Sequence, residues 1–293
     1  MRNELINLIN KTLKNKKNSY FLTADLGYSV LENLQKNLRK RFINVGISEN
    51  NMLLLAVGLS EINKNLVYAY SISSFLILRP AEIIRNYISN ESRNIRLIGV
   101  GSGVSYSNMG KSHHSLDDIN YIYSLKNILI LNPANLEELY YLYKKFLNYN
   151  GPLYFRINKN SFSQSKLFKR YKNIFVKKGK KSNLIVSGAI LNHIMQMFDT
   201  KELENINIVS LPIMNLQYVK NLKSYLVKGN TLFITDSSKT AFFDDVYMKI
   251  IKFLKNYKFK NFDLDHRDIK YVDDEKGLLE QMGVKKEIIK NLL

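Results

Sequence analysis

Strand-like and helix-like segments alternate along the first half of the chain. Apolar runs with the length and the β-branched or aromatic content of strands lie at 19–25, 42–47, 66–72, 95–101, 127–133 and 152–157. Segments with apolar residues at helical spacing lie at 50–62, 74–88 and 135–149. Pro80 falls inside the second of these helices, where it either occupies a first turn or causes a kink. The alternation predicts a parallel sheet covered by helices.

A second alternation follows a basic, glycine-poor stretch. It predicts strands at 183–189, 207–213 and 231–238, with helices at 190–198, between the last two strands, at 240–257 and twice around 276–292. We therefore predict an α/β protein of two tandem domains with mostly parallel, doubly wound sheets. The predicted boundaries are 1–158 for the first domain, 159–181 for a basic connector and 182–293 for the second domain. A short strand at 173–178 is an option within the connector.

Composition narrows the class of protein. The chain has no cysteine, so disulfides and thiolate sites are excluded, and its apolar runs are too short to cross a bilayer. The first twenty residues do not have the pattern of a signal peptide, which favours the cytoplasm.

The net charge of +19 is concentrated in residues 156–182, which hold ten Lys and Arg and no acid. No sequence signature of a nucleic-acid-binding fold accompanies this charge, so we predict no nucleic-acid partner. Two explanations of this positive charge remain. The segment is either a solvated connector or a surface that attracts anionic substrates or an acidic partner.

Polar side chains follow several predicted strands at the point where each strand ends. Asp25 and Ser29 follow the first strand, Glu49 the second and Phe75 the third, and Arg156 ends the sixth. Because ligands bind beyond the carboxyl ends of strands in open α/β sheets, this arrangement predicts a binding site at one edge.

Three motifs occur in a fixed order: RFINVGISENNM at 41–52, YSISSFLILRPAEIIRN at 70–86 and GKSHHSLDDI at 110–119. Together they resemble the pyrimidine-binding half of transketolase, a thiamine diphosphate enzyme. Residues 183–293 resemble, more loosely, the small C-terminal domain of that family. The resemblance implies that Glu49, Phe75 and Asp25 bind the cofactor. Glu49 would hydrogen-bond a pyrimidine ring nitrogen and promote loss of the thiazolium proton, and Phe75 would stack on the aminopyrimidine.

The resemblance also implies that His113, Ser29 and Arg156 contact substrate, with His113 moving protons beside sugar hydroxyls. Each residue has an ordinary alternative. Glu49 suits the first turn of a helix, Phe75 suits a hydrophobic core, and Arg156 suits an ion pair at a strand end. Asp25 and Ser29 are common turn residues. His113 suits a surface loop that leads into a helix, because Ser115 and Asp118, three residues apart, match a helix-capping pattern.

Features of the family are also missing. The Gly-Asp-Gly motif that holds the metal and the cofactor diphosphate is absent. The resemblance therefore implies that Mg²⁺ or Ca²⁺ is held by a partner chain, the N-terminal section of a two-subunit transketolase, in a heterotetramer. We predict no metal ligand here. Gly101, Leu78 and Asn108 replace a histidine, an aromatic residue and an acid of the family. These replacements imply sugar or sugar-phosphate substrates, or a nucleotide-linked sugar, that differ from the usual pentose phosphates.

The resulting hypothesis is a transketolase-like subunit that transfers a two-carbon ketol unit from a ketose to an aldehyde or keto-sugar, and is active only with its partner. Two alternatives stay open. One is the β subunit of a 2-oxoacid dehydrogenase, and the other is an assembly or regulatory subunit without catalysis.

Overall fold

The computed structural model describes residues 1–125, 127–163 and 166–293, apart from the side chain of Asn63. The described residues form two six-stranded sheets, one in each half of the chain. No helix in the described ranges is long and apolar enough to cross a membrane.

The first sheet is entirely parallel, with strand order β2-β1-β3-β4-β6-β5. Its strands are β1 (Ser19–Thr23), β2 (Phe42–Asn44), β3 (Leu66–Ile72), β4 (Ile95–Val100), β5 (Leu129–Leu131) and β6 (Leu153–Ile157). Residues of the central strands β3, β4 and β6 are buried throughout, as expected for a parallel sheet covered on both faces. The predicted α/β class and parallel arrangement are confirmed.

Helices of this half pack on both faces of the sheet. They are α1 (Arg2–Lys14), α2 (Glu32–Leu38), α3 (Glu49–Glu61), α4 (Ser73–Leu78), α5 (Ala81–Ile83), α6 (Asp118–Ser124) and α7 (Leu136–Phe146), with a π-helical turn at 84–89. The segment predicted as one helix at 74–88 is thus divided next to Pro80. Proline lacks the backbone N–H that would continue the helix. The break therefore lies at the position where a kink was one of the two predicted effects of Pro80.

The second sheet is mixed, with strand order β12-β11-β9-β10-β8-β7. Its strands are β7 (Lys169–Tyr171), β8 (Ile174–Lys177), β9 (Ser182–Ser187), β10 (Ile206–Ser210), β11 (Thr231–Thr235) and β12 (Phe259–Asn261). The helices are α8 (Ile190–Met197), α9 (Thr200–Asn205), α10 (Ala241–Ile250), α11 (Glu275–Gln281) and α12 (Lys286–Leu292). Strands β7 and β8 form an antiparallel hairpin that pairs with β10. The segment predicted as a connector therefore contributes two strands to this sheet, including the optional one.

The helix predicted between 213 and 231 is wrong. Residues 216–218 and 222–225 form only short 3₁₀ turns. The backbone just before them is engaged elsewhere, because Ile213 pairs antiparallel with Leu131 of β5. Met214 N–H donates to the Ile130 carbonyl at 3.0 Å, and Asn132 N–H donates to the Pro212 carbonyl at 2.9 Å. This pairing covers the edge of the first sheet and joins the two halves.

Glu138 provides a test of the packing beneath α7. Its carboxylate is buried and accepts a hydrogen bond from Ala134 N–H at 2.7 Å. Burial raises the pKa of this carboxyl from its ordinary 4.5 to about 7, against the lowering effect of that hydrogen bond. Because the unfolded chain gives up the proton first, the free energy of unfolding falls as the pH rises from about 4.5 to about 7.

Glu138→Gln should remove this loss, since the glutamine oxygen can still accept from Ala134. Above pH 7 the variant should be more stable than the wild type by on the order of 2–3 kcal/mol, and near pH 4.5 the two should converge. Urea unfolding followed by circular dichroism at several pH values measures this. Glu137→Gln, on the exposed side of the same helical turn, is the control. An unchanged pH profile in Glu138→Gln would contradict the assignment.

Candidate active site

Glu49 is held in a buried position at the start of α3. Only 4% of the surface of Glu49 is exposed to solvent. Oε1 accepts from the Ser71 hydroxyl of β3 at 3.3 Å, and Oε2 accepts from Nη1 of Arg79 at 2.7 Å. The helix N-terminus also favours negative charge at this position. A carboxylate that is nearly removed from water, with one long hydrogen bond, keeps the capacity to bind a polar group of a ligand.

Arg79 joins Glu49 to Phe75. Its guanidinium carbon lies 3.8 Å from the centroid of the half-buried Phe75 ring, and the side chain is 45% exposed. Sequence analysis did not single out Arg79. The available signal was its spacing, because a residue four positions after Phe75 lies over the same face of a helix.

His113 also contacts Phe75. The two ring centroids are 4.8 Å apart in an edge-on arrangement, and Ser112 Oγ lies 3.1 Å from His113 Nδ1. The Ser74 hydroxyl donates to the Ser112 carbonyl at 3.1 Å and so fastens this loop to α4. The structure thus brings Glu49, Phe75 and His113 into one cluster.

Tyr106 and Lys159 extend the cluster. The Tyr106 ring centroid is 6.3 Å from that of His113, and the ammonium of the exposed Lys159 is 5.4 Å from the Tyr106 centroid. A side chain at Gly101 would overlap the Tyr106 ring, and the positive φ of +89° disfavours other residues there. Tyr106 therefore occupies the space next to the glycine that replaces the family histidine. Sequence analysis counted Lys159 only as part of the basic stretch.

Asp25 and Ser29 lie in the exposed turn after β1. Both have positive φ, of 51° and 61°. Asp25 and Asn44 exchange hydrogen bonds, with Asp25 N–H donating at 2.9 Å and the Asn44 amide donating back at 3.1 Å. Ser29 N–H donates to Glu32 Oε1 at 2.5 Å. Asp25 and Asn44 also line a cavity of about 230 Å³. These contacts are made with Asn44 at the end of β2 and with Glu32 at the start of α2, and the cofactor and substrate roles of Asp25 and Ser29 stay predictions.

Arg156 does not contact the cluster among the described residues, and its predicted contact with substrate is not supported by this geometry. The guanidinium is fully buried and donates to Asp118 Oδ2 at 2.8 Å and to Asp236 Oδ1 at 2.6 Å. It also donates to the carbonyls of Ser115 and Asp236 and to Asn132 Oδ1. Although burial acts to lower its pKa, the two carboxylates raise the pKa of Arg156 above the ordinary value. Every N–H of this side chain is engaged, so none is left for a ligand.

The cluster fits one half of an aminopyrimidine-binding site. Glu49 supplies a buried carboxylate for a ring nitrogen, and Phe75 supplies an aromatic face beside it. Arg79 covers that face in this structure and is half exposed, so it can move without unpacking the core. Leu78 is 44% exposed and adds no second ring.

In the described ranges, no group of three or more His, Asp or Glu side chains could hold a metal ion.

The Glu49–Arg79 contact can be tested by a double-mutant cycle on the free chain. We expect Glu49→Gln and Arg79→Met to couple by about 1 kcal/mol in the free energy of unfolding, a modest value because Arg79 is half exposed. Chemical denaturation of the wild type, both single variants and the double variant measures this coupling. Glu61→Gln, at the other end of the same helix, should be additive with Arg79→Met. Additivity of Glu49→Gln with Arg79→Met would rule out the ion pair.

Comparisons with known proteins identify the family of the first half of the chain. The family model of the transketolase pyrimidine-binding domain matches residues 1–164. A protein described as a putative transketolase C-terminal section, from Methanocaldococcus jannaschii, is 30% identical over 145 residues, which make up 49% of this chain and 46% of that protein. One subunit of the apulose-4-phosphate transketolase of Actinobacillus succinogenes is 32% identical over 123 residues, 42% of this chain and 39% of that protein. These matches span less than half of either relative.

A solved structure supports the fold over nearly the whole chain. It is described as a split-gene transketolase, inactive β4 tetramer, and superposes with a TM-score of 0.79 at 19% sequence identity, covering 98% of this chain and 94% of that chain. The resemblance found in the motifs is confirmed. Since the family model matches 164 of the 293 residues, this chain belongs to the transketolase family and contains its pyrimidine-binding domain.

Proposed function

We propose that this chain is the pyrimidine-binding subunit of a thiamine diphosphate-dependent transketolase assembled from two kinds of chain. The reaction moves a two-carbon ketol unit from a ketose donor to an aldehyde or keto-sugar acceptor. The observation that carries the proposal is the placement of a buried carboxylate, Glu49, beside the half-buried ring of Phe75 and the imidazole of His113. The bound cofactor supplies the carbanion chemistry, and the chain binds, orients and moves protons.

Glu49 would hydrogen-bond the pyrimidine ring nitrogen of the cofactor and hold the proton there. Its low exposure would strengthen such a hydrogen bond, since little water competes for the carboxylate. Phe75 would stack on the aminopyrimidine ring. Arg79 engages both residues in this structure, so we expect it to leave the Phe75 face when the ring binds.

His113 and Lys159 act on the sugars. Imidazole titrates near neutral pH and is suited to donating to, or accepting from, substrate hydroxyls. The Ser112 hydroxyl at Nδ1 orients the ring. Lys159 is exposed beside Tyr106, which neighbours His113, and its ammonium can bind an anionic group of a substrate. Asp25 remains proposed near the cofactor and Ser29 near a substrate phosphate, in the turn that β1 presents at the same sheet edge.

A partner chain completes the site. The chain spans less than half the length of its curated relatives over the matched regions, and those relatives are named as a C-terminal section and as one subunit of a transketolase. The similar solved structure is described as inactive when it is a tetramer of β chains. We propose that a diphosphate-binding N-terminal-section subunit holds Mg²⁺ or Ca²⁺ and the cofactor phosphates. Two copies of each chain then form a heterotetramer.

A non-catalytic assembly role is the second candidate. It is favoured by Arg79, which engages Glu49 and covers Phe75 at once. The 2-oxoacid dehydrogenase alternative is less favoured, because the imidazole of His113 suits the hydroxyl groups of a sugar. Turnover of a ketose phosphate, and none of pyruvate, would separate these two enzymatic functions.

The decisive measurement follows cofactor activation and needs no knowledge of the sugars. The chain is assembled with its partner, thiamine diphosphate and Mg²⁺, and hydrogen–deuterium exchange at the thiazolium carbon is followed by NMR. Glu49→Gln should slow exchange by about 10²-fold or more, since it removes the proton-holding group. Glu61→Gln, a charge removal at the far end of the same helix, should leave the rate unchanged. If the assembled wild type accelerates exchange no more than Glu49→Gln, the assembly role is correct and the catalytic proposal is wrong.

A further inference from the structure

Residues 101–116, which we call the histidine loop, carry His113 between β4 and α6. The loop closes on itself where Ser115 N–H donates to the Gly103 carbonyl at 2.8 Å. Its ends are held by groups from the second half of the chain. These groups lie in the turn that follows β11, at residues 236–238.

Asp236 is the central contact. It is 4% exposed, and its Oδ2 accepts from the hydroxyl of Ser102, a loop residue that is 1% exposed, at 2.8 Å. Its Oδ1 accepts from Arg156, which in turn donates to the Ser115 carbonyl at 2.6 Å. One carboxylate therefore contacts the beginning of the loop directly and its end through a single arginine.

Two neighbours of Asp236 hold the end of the loop as well. The hydroxyls of Ser237 and Ser238 donate to the Leu116 carbonyl at 2.5 Å and 2.8 Å. Ser238 N–H donates to the same oxygen at 2.8 Å. Three donors on one carbonyl fix the backbone where the loop enters α6.

The two adjacent histidines make contacts in different halves of the molecule. The His114 ring lies parallel to that of His266 in the second half, with centroids 6.0 Å apart, and His114 is 4% exposed. His113 instead contacts Phe75 and Tyr106 in the first half. Because backbone geometry couples neighbouring side chains, a loop whose ends and His114 are fixed presents His113 in one orientation.

We propose that Asp236 is a positioning residue for the substrate side of the active site, through which the second half of the chain holds His113 against Phe75. The inference rests on the proposed function, since it concerns where the substrate-facing imidazole is placed. Asp236 has no contact with Glu49 or Phe75 among the described residues. Cofactor activation should therefore not depend on it.

Two variants of the full chain test the proposal. Asp236→Asn removes the charge, and Ser102→Ala removes only the direct hydrogen bond to the loop and leaves Arg156 with both carboxylates. Amide hydrogen exchange followed by mass spectrometry should accelerate in residues 101–116 by on the order of ten-fold in either variant, while strands β9 and β11 keep their protection. Glu204→Gln removes an exposed carboxylate from the second half and should change neither region.

Histidine NMR provides a readout that a purely structural role would not move. The chain has four histidines, so the His113 resonance can be assigned by substitution. In Ser102→Ala the chemical shifts of the His113 ring should change, while those of the His193 ring should not. If the Asp236→Asn variant does not fold, the measurements on Ser102→Ala alone test the proposal. Unchanged loop exchange and unchanged His113 resonances in Ser102→Ala, or a uniform rise in exchange over the whole chain, would overturn the proposal.

Different results would contradict the positioning role of Asp236 and the proposed function of the chain. In the assembled enzyme, Ser102→Ala should retain wild-type thiazolium exchange and raise KM for a ketose phosphate more than it lowers kcat. Loss of thiazolium exchange in Ser102→Ala would overturn the positioning role, because Glu49 is untouched. Absence of that exchange in the wild type would instead contradict the proposed function, while the loop measurements on the free chain would still stand.

Discussion

A guanidinium group with no exposed surface joins the two sheets of this protein. Arg156 of β6 donates to Asp118 at the start of α6 and to Asp236 after β11, and it reaches two backbone carbonyls besides. Taking an ion out of water costs several kcal/mol, which only close partners offset. Asp118 also accepts from the Tyr154 hydroxyl at 2.5 Å. Because loss of the Arg156 guanidinium would leave two buried carboxylates without a counter-charge, the relative placement of the two halves depends on the group formed by Arg156, Asp118 and Asp236.

The candidate active site has two sides that are built differently. Glu49 and Phe75 belong to α3 and α4, which follow β2 and β3 of a single sheet. Their position therefore depends on packing within the first half. His113 lies on a long loop that has little regular structure, and both halves fix its ends. Under the proposed function, cofactor binding would therefore depend on the first half, and substrate binding would depend on both halves.

The sequence predicted elements well where local chemistry and burial agree. The apolar strands β3 and β4 were found almost to the residue, since strands buried on both faces are apolar throughout. Pro80 marked a real break. Prediction failed at 213–231, where the helical spacing of apolar residues was overridden by pairing of Ile213 with β5. It also missed α1, α2, α9 and β12, and it placed the hairpin β7–β8 in a connector. These segments are short or amphipathic, and most of their stability comes from packing against parts of the structure that are distant in the sequence.

The sequence by itself determined the parallel α/β architecture, because strands and helices alternate with clear local signals. The roles suggested for Glu49, Phe75 and His113 came from the resemblance of their motifs to transketolase and stay predictions. Only the tertiary structure decided that Arg156 is a buried link between halves, and that Arg79, Tyr106 and Lys159 surround the candidate site. Asp118 and Asp236 are 38 and 80 residues from Arg156 in the chain. No local pattern encodes such partners, and a cation at a strand end has the same sequence signature whether it faces a ligand or a buried carboxylate.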